Sequence, residues 1–272
     1  MLADFLYSHP TWVIGLLVIG LGTGISLGGL YICHRRIDVN LRHKDTETVG
    51  LTYAIVAVVY AVLIALIVVD VFETFAKADA IASAEANKLS NLTLDSAGLP
   101  PQMATEVRSD IDKYIDIVVH SEWPSQQAGK LGDATFEPGW ILLAHMSTEL
   151  ALFEPGTMGQ DSNKAEMLGA MNDLIKARRS RIIAAGEHLP AVIWKMLLFG
   201  AAVSVGYTYL FGARSLGIHM AITGLISATI GLVFVLIITL DYPFRGPVSV
   251  SDKAFVGVQE TASEVMAEAP RH

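Results

Sequence analysis

The sequence predicts an all-α integral membrane protein with four transmembrane helices and a helical soluble domain inserted between the second and third. Three observations carry this reading. Of 272 residues, 52% are hydrophobic and only 17% charged, where a soluble chain carries about a quarter charged. The deficit is concentrated in four long apolar stretches, each near or beyond the roughly twenty residues that cross a bilayer core. Between the second and third stretches the chain turns polar and acidic but keeps a helical period, with none of the sustained alternation that a strand requires. The expected parts are residues 1–71 (two spans and a basic connecting loop), 72–188 (the acidic helical domain), 189–241 (two further spans) and 242–272 (a polar tail).

The first span runs from Thr11 to Cys33. It lacks a positive n-region and is too long for a cleaved signal peptide; its positive charge, His34-Arg35-Arg36, follows it instead, as in a retained anchor helix. The second runs from Thr48 to Val69, the third from about Leu189 to Ala213, and the fourth from Ser215 to Leu240. Lys195 sits close enough to the start of the third to reach the interface, and His219 near an end of the fourth reads the same way. Small residues recur at helical spacing: Gly20, Gly24 and Gly28; Gly50, Ala54, Ala57, Ala61 and Ala65; Gly217, Ala221, Gly224 and Gly231. Such stripes let helices approach closely in lipid, foremost within one bundle and otherwise between subunits.

In the inserted domain, 17 Asp/Glu stand against 10 Lys/Arg. No breaker interrupts Val69 to Ala97, so the second span continues as one long helix, stopped by Gly98-Leu99-Pro100-Pro101. A helix over Met103–Glu122 sets Val107, Ile111, Tyr114, Ile115 and Val118 on one face and is expected to end before Trp123-Pro124. Gly129 to Gly139 reads as a loop and Trp140–Phe153 as a helix. A last helix over Asn163–Ala185 carries Met167, Met171, Leu174 and Ile182 on its apolar side, with Asn163 and Glu166 spaced as a capping box. It is read as an extension leading into the third span.

Composition also excludes function classes. The net charge is −8 and no Lys/Arg run interleaves with aromatics, so a nucleic-acid partner is not expected. The single cysteine, Cys33, makes neither an intramolecular disulfide nor a thiolate cluster. No nucleophile elbow, phosphate loop, dinucleotide fingerprint or paired zinc-binding histidines occurs, so neither an enzyme nor a metal or other cofactor is expected. Surface or interfacial placement is expected for all eight histidines. Three carboxylates stand where spans end: Asp70, Glu73 and Asp241. An acid at membrane depth serves an ion pathway or proton relay; at the interface it is hydrated and merely ends the span. Asp70 is the strongest candidate, because it is embedded in Ile67-Val68-Val69-Asp70-Val71-Phe72.

Several runs together carry a family resemblance. They are Glu85-Ala86-Asn87, Leu99-Pro100, Tyr114 with Val118-Val119 leading to Glu122-Trp123-Pro124, and the pair Arg178/Arg181 ahead of Pro190 and Trp194. The closing run is Leu240-Asp241-Tyr242-Pro243-Phe244-Arg245-Gly246-Pro247, then Val250 and Phe255. These resemble the bacterial family of bestrophin-like membrane proteins over nearly the whole chain. That likeness implies a place in the bacterial inner membrane. The more distant likeness to bestrophins proper implies a homopentameric anion channel whose pore is lined by the second helix. Tyr53, Tyr60, Ile64 and Ile67 lie along one face of that helix and, with Asp70, are the pore-lining candidates. Only the isolated Asp241 and Asp252 follow the last span, which departs from the acidic calcium clasp of animal bestrophins. Without any transport, Pro243 stops a helix, Gly246 permits a turn, Phe244 anchors at the interface, and Glu85 pairs with Arg178 or Arg181.

Arg35, Arg36, Arg42 and Lys44 occupy the short first loop, while residues 1–10 hold no Lys or Arg. By the positive-inside rule the loop is cytoplasmic, leaving the inserted domain and both termini outside. Lys176, Arg178, Arg179 and Arg181 argue the other way, as does the cytosolic placement of that region in bestrophins. Two functions fit: an oligomeric, anion-selective channel, or a non-conducting scaffold whose acidic domain binds a protein partner.

Overall fold

The structure is a computed structural model, and it describes residues 7–37, 46–213 and 215–259. Arg42, Lys44 and the end of the tail lie outside the described residues. The elements are α1 (Thr11–Arg36), α2 (Thr46–Asp95), a 3₁₀ turn (Ser96–Gly98), α3 (Pro101–Ile117), a π turn (Val118–Glu122) and α4 (Trp123–Gln127). They continue with α5 (Asp133–Leu152), α6 (Met158–Ala184), α7 (Ala191–Thr208) and α8 (Leu216–Leu240). No strand occurs among the described residues. Four helices, α1, α2, α7 and α8, are long and apolar enough to cross a membrane.

The chain divides into two compact units. The first comprises Met1–Thr74, His188–Asp241 and Gly246–Val248. In it α1 and α8 run antiparallel: Ile19 meets Gly231, Ser26 shares a 2.8 Å hydrogen bond with Ser227, and Leu27 reaches Gly224. Glycine is required at position 231 because a Cβ there would stand 3.2 Å from the Ile19 Cα. On α2, the Tyr60 hydroxyl donates to the Leu197 carbonyl at 2.8 Å, and its ring fills the space that a side chain at Gly200 would take. Tyr53 lies between Tyr207 and Phe211, with ring centroids 6.1 and 5.8 Å away. Val71, Leu189, Leu197, Phe234 and Ile237 form the apolar centre, with Ile64, Ile67 and Trp194 against it.

The small-residue stripes divide in use. Among the described residues a Cβ at Gly20, Gly24 or Gly28 would meet nothing within 4 Å, so none of them packs on that face of α1. Gly224 and Gly231 of α8 are the small residues that admit α1. Packing within the bundle, foremost for all the stripes in the sequence, is therefore corrected for α1.

The second unit comprises Phe75–Glu187, Tyr242–Arg245 and Ser249–His272. Its core joins Leu89 and Leu92 of α2, Val107, Ile111, Tyr114 and Ile115 of α3, Leu143, Met146 and Leu150 of α5, and Met167, Met171 and Leu174 of α6. The helical periods of α3 and α6 put these residues inward. Three boundaries differ from expectation. The chain does not stop before Trp123-Pro124; it passes through the π turn into α4, where Pro124 occupies the first turn. Proline lacks an N–H, so the α-helical ladder must break there, and a first-turn position needs no donor. The 129–139 loop is shorter than expected, since α5 begins at Asp133 and carries Pro138 inside it. Finally, α6 starts at Met158, capped by the Thr157 hydroxyl, which accepts from the Gln160 N–H at 3.2 Å. Asn163 is no cap: its side-chain amide donates to the Asp95 carbonyl at 3.0 Å, over Gly98. That bond ties the end of α2 to α6. While α2 is one helix from Thr46 to Asp95, α6 and α7 are separate, interrupted between Ala184 and Ala191.

Replacing Gly231 by Val should destabilise the α1–α8 contact by about 1–3 kcal/mol, because the intruding atoms meet backbone. Gly224→Ala, which gains only ordinary contacts at 3.7 Å and beyond, should leave thermal unfolding in detergent nearly unchanged. Equal melting temperatures for the two variants would contradict this packing.

Candidate functional site

The residues of the sequence motifs converge in the interior of the second unit. Glu85 comes from α2, Tyr114 from α3, Glu122 from the π turn, and Arg178 and Arg181 from α6. All five side chains are wholly buried. Arg178 clasps Glu122 with two N–H groups, Nη2 to Oε1 at 2.7 Å and Nη1 to Oε2 at 3.0 Å. Its Nη2 also donates to the Phe136 carbonyl at 2.8 Å. Arg181 donates from Nε to Glu85 Oε2 at 2.7 Å, from Nη2 to Glu85 Oε1 at 3.2 Å, and from the same Nη2 to Glu122 Oε2 at 2.8 Å. Tyr114 closes the circuit, accepting from Arg178 Nη1 at 3.1 Å and donating to Glu85 Oε1 at 2.5 Å.

Two cations face two anions, and every carboxylate oxygen is taken. The spacing explains which residues meet: Arg178 and Arg181 are three apart on α6 and share a face, as do Tyr114 and the π turn's Glu122. Above the guanidinium planes lie aromatic rings. Arg178 is 4.8 Å from the Trp140 centroid, and Arg181 is 5.6 and 5.8 Å from those of Trp123 and Phe255. Trp123 in turn packs edge-on against Phe244 and Phe255. Gly139 stands so close to Arg178 and Glu122 that a Cβ there would lie 2.7 Å from the Glu122 Oε1; only glycine leaves room for the pair.

The electrostatics follow from burial and pairing. Burial pushes the Tyr114 phenol well above its ordinary pKa, and the adjacent Glu85 charge adds to this. Burial alone would lower both guanidinium values, but each ends above its ordinary value. Tyr114 and Glu122 hold Arg178 up, and Glu85, Tyr114 and Glu122 hold Arg181 up. With no carboxylate face left open, the cluster suits holding five segments together rather than proton transfer or metal binding. Among the described residues no His, Cys, Asp and Glu side chains gather as a metal ion would need.

The remaining motif residues have separate places. Asn87 is exposed on α2. In the first unit Asp241 accepts the Leu189 N–H at 2.6 Å and the Trp194 indole N–H at 3.3 Å, holding the start of α7 to the end of α8. It is buried rather than hydrated. In the second unit the Pro243 carbonyl accepts from the Val250 N–H at 2.8 Å, and Phe244 is fully buried on Trp123 rather than anchored at an interface. Gly246 takes a φ of +84°, which glycine adopts freely. Of the pore-lining candidates, Tyr60, Ile64 and Ile67 are turned toward helices of the same chain, and Tyr53 is half-covered by Tyr207 and Phe211. A buried phenol needs a hydrogen-bond partner, and the Leu197 carbonyl supplies one inside the bundle. Asp70 and Glu73 are exposed. His219 is not interfacial but buried within the first unit. Its signal in the sequence is the run His219, Thr223 and Ser227, each four residues after the last.

Arg181→Met should cost about 3–5 kcal/mol by stranding Glu85 without its cation, while Glu122 keeps Arg178, read as a lowered melting temperature or loss of folded protein. The Tyr114 phenol contributes stability that is complete below the ordinary tyrosine value of about 10 and declines as pH rises through it toward the folded value. Tyr114→Phe should therefore lack that alkaline decline in melts taken across the range.

The model for the Bestrophin-like domain matches residues 20–255. No curated protein matches. Among solved structures, one membrane protein, crystallised as a proline-to-alanine variant, superposes with a TM-score of 0.61 over 95% of this chain and 98% of its own, at 13% identity. That is a likeness of fold. The match to residues 20–255 covers most of the length and contains every motif residue of the buried cluster, and the chain therefore belongs to the bestrophin-like family.

Proposed function

We propose that this membrane protein is one subunit of a homo-oligomeric channel, pentameric by its resemblance to bestrophins, that conducts anions along a path walled by α2. The observation that carries the reading is the exposure of that helix. The apolar stretch of α2 is 11% buried within the chain, against 33% for α8. It commits only the Tyr53–Tyr60–Ile64–Ile67 side to its own protomer and leaves the rest for lipid, other subunits or a path.

The pore-wall assignment moves accordingly. Leu51, Ile55, Val58, Val62, Leu66 and Val69 fall on one exposed face at helical spacing. The same track continues through Glu73, Ala76, Ala80, Asn87 and Asn91, also exposed. A bulky apolar ring from several copies would make a neck that gates by dewetting, and the smaller, more polar residues after it would make a wetter passage. Asp70 stands beside that transition. The uncovered Gly20–Gly24–Gly28 face of α1 supports oligomer formation, since such faces allow close helix contact between copies. The charge rule orients the α1–α2 loop inward and the second unit outward; protease accessibility of a C-terminal epitope tests it. A non-conducting scaffold would keep the same fold and fail the following test.

Purified protein in liposomes should pass halide, and Leu66→Asp should change the anion-to-cation permeability ratio. Tyr60→Phe should leave that ratio intact and cost stability of about 1 kcal/mol. No flux under any gradient, with a monomer in detergent, would sink the channel reading.

A further inference from the structure

Where α2 enters the second unit it carries a cation and an anion on opposite sides. Lys77 and Asp79 are both exposed, and neither has an ion-pair partner among the described residues. Glu73 precedes Lys77 by four, a spacing that favours a glutamate–lysine pair on one helix, yet no ion pair joins them. At 3.6 residues per turn, two residues lie about 200° apart around the axis and about 3 Å apart along it. Lys77 and Asp79 therefore project to opposite flanks of α2 at nearly one height. Ala78 is buried against the chain, and on the side away from it the exposed Ala76 and Ala80 lie between the two charges.

In the first unit the same helix shows this arrangement in size instead of charge. Val59 and Ala61 are exposed, again two residues apart, and Tyr60 between them is buried. By helical spacing Leu63 and Leu66 share the Val59 flank, while Ala54 and Ala65 share the Ala61 flank; all four are exposed. One flank is bulky and the other nearly flat. Small residues on a membrane helix admit a close neighbour without identifying it. The charges of the second unit supply the identification.

We propose that both flanks of α2 are covered by α2 of further copies of this chain, with Lys77 of one copy paired to Asp79 of the next. This rests on the homo-oligomeric part of the reading above and not on conduction. Copies in one membrane share an orientation, so their α2 helices run parallel and are related by rotation about an axis along the membrane normal. Such a rotation keeps each residue at its own height. It presents the Lys77 flank of one copy to the Asp79 flank of the next, whatever the number of copies. It also seats Val59, Leu63 and Leu66 of one copy against the flat alanine flank of its neighbour. Contact through like flanks would instead set Lys77 against Lys77 or Asp79 against Asp79, and like charges brought together are costly. One exposed ion pair is a small term, but repeated at every junction it selects the sense and register in which neighbours meet. The face with Ala76 and Ala80 then stays turned to the axis.

The test is disulfide cross-linking of the full chain in membranes, in a Cys33→Ser background. Lys77→Cys together with Asp79→Cys should give, on mild oxidation, a ladder of linked copies on a non-reducing gel. Either substitution alone should give none. Within one chain the two side chains point apart and cannot bridge, so each rung joins two copies. Charge supplies a second measurement: Lys77→Glu or Asp79→Lys should each lower the oligomeric fraction in detergent several-fold, and the two together should restore it. A ladder as strong from either cysteine substitution alone, or a charge-exchanged protein no better than the single variants, overturns the pairing. An oligomer by mass in detergent that gives no ladder overturns this proposal and leaves the oligomeric reading standing. A monomer that also gives no ladder in membranes overturns both.

Discussion

Two arginines and two glutamates, sealed from water among aromatic rings, impose the arrangement of everything around them in the second unit. Each ion costs several kcal/mol to desolvate, and only its partners offset that cost. Glu122 Oε2 receives both arginines, and Tyr114 relays between Arg178 and Glu85. Moving one helix by a single residue would therefore strand a charge rather than loosen a contact. An apolar core tolerates slippage in a way this one does not. The cluster specifies register: α2, α3, the π turn and α6 fit together in one way, and Gly139 must remain a glycine to admit them.

That constraint gives a physical reason for the π turn. Glu122 has to face inward with Tyr114, and Trp123 has to lie under Arg181 and Phe255. An unbroken α-helix would separate neighbouring residues 122 and 123 by about 100° around the axis, and Pro124 would interrupt its ladder. The wide turn breaks the ladder where proline would break it anyway, and both side chains end buried. Proline read from the sequence marks a helix stop, because its local preference is visible and the tertiary demand is not. The same reasoning covers Asn163, which has the spacing of a cap but is drawn to the Asp95 carbonyl by a neighbour 68 positions away.

The spans and the apolar faces of α3 and α6 were legible because burial against lipid or core repeats at the helical period. The sequence left Glu85 to pair with Arg178 or Arg181, and the structure pairs it with Arg181 while Arg178 takes Glu122. Less visible was the direction each membrane helix faces. Tyrosines on α2 and glycines on α1 advertise contact without naming the partner, and the structure assigns the tyrosines to the chain itself while leaving the Gly20–Gly24–Gly28 face uncovered. His219 was hidden for the same reason: proximity to a span's end in sequence places a residue near the interface, but the Thr208 carbonyl and Ser215 cap fold it inward.

These assignments bear on how a path along α2 would work. Were Tyr60 on the pore wall, its hydroxyl would present a polar group to passing ions; with that hydroxyl spent on Leu197, the exposed face is aliphatic from Leu51 to Val69. An aliphatic wall holds no ion and selects poorly by chemistry, so in a channel it would act on water, opening when wetted and closing when dry. In such a path selectivity would come from the mouth beside the exposed Asp70 and Glu73, which introduce negative charge. A pair of acids at one mouth disfavours anions there unless neutralised or turned aside. The sign of the permeability ratio, rather than conduction alone, is thus the quantity that separates an anion path from a cation path in this chain.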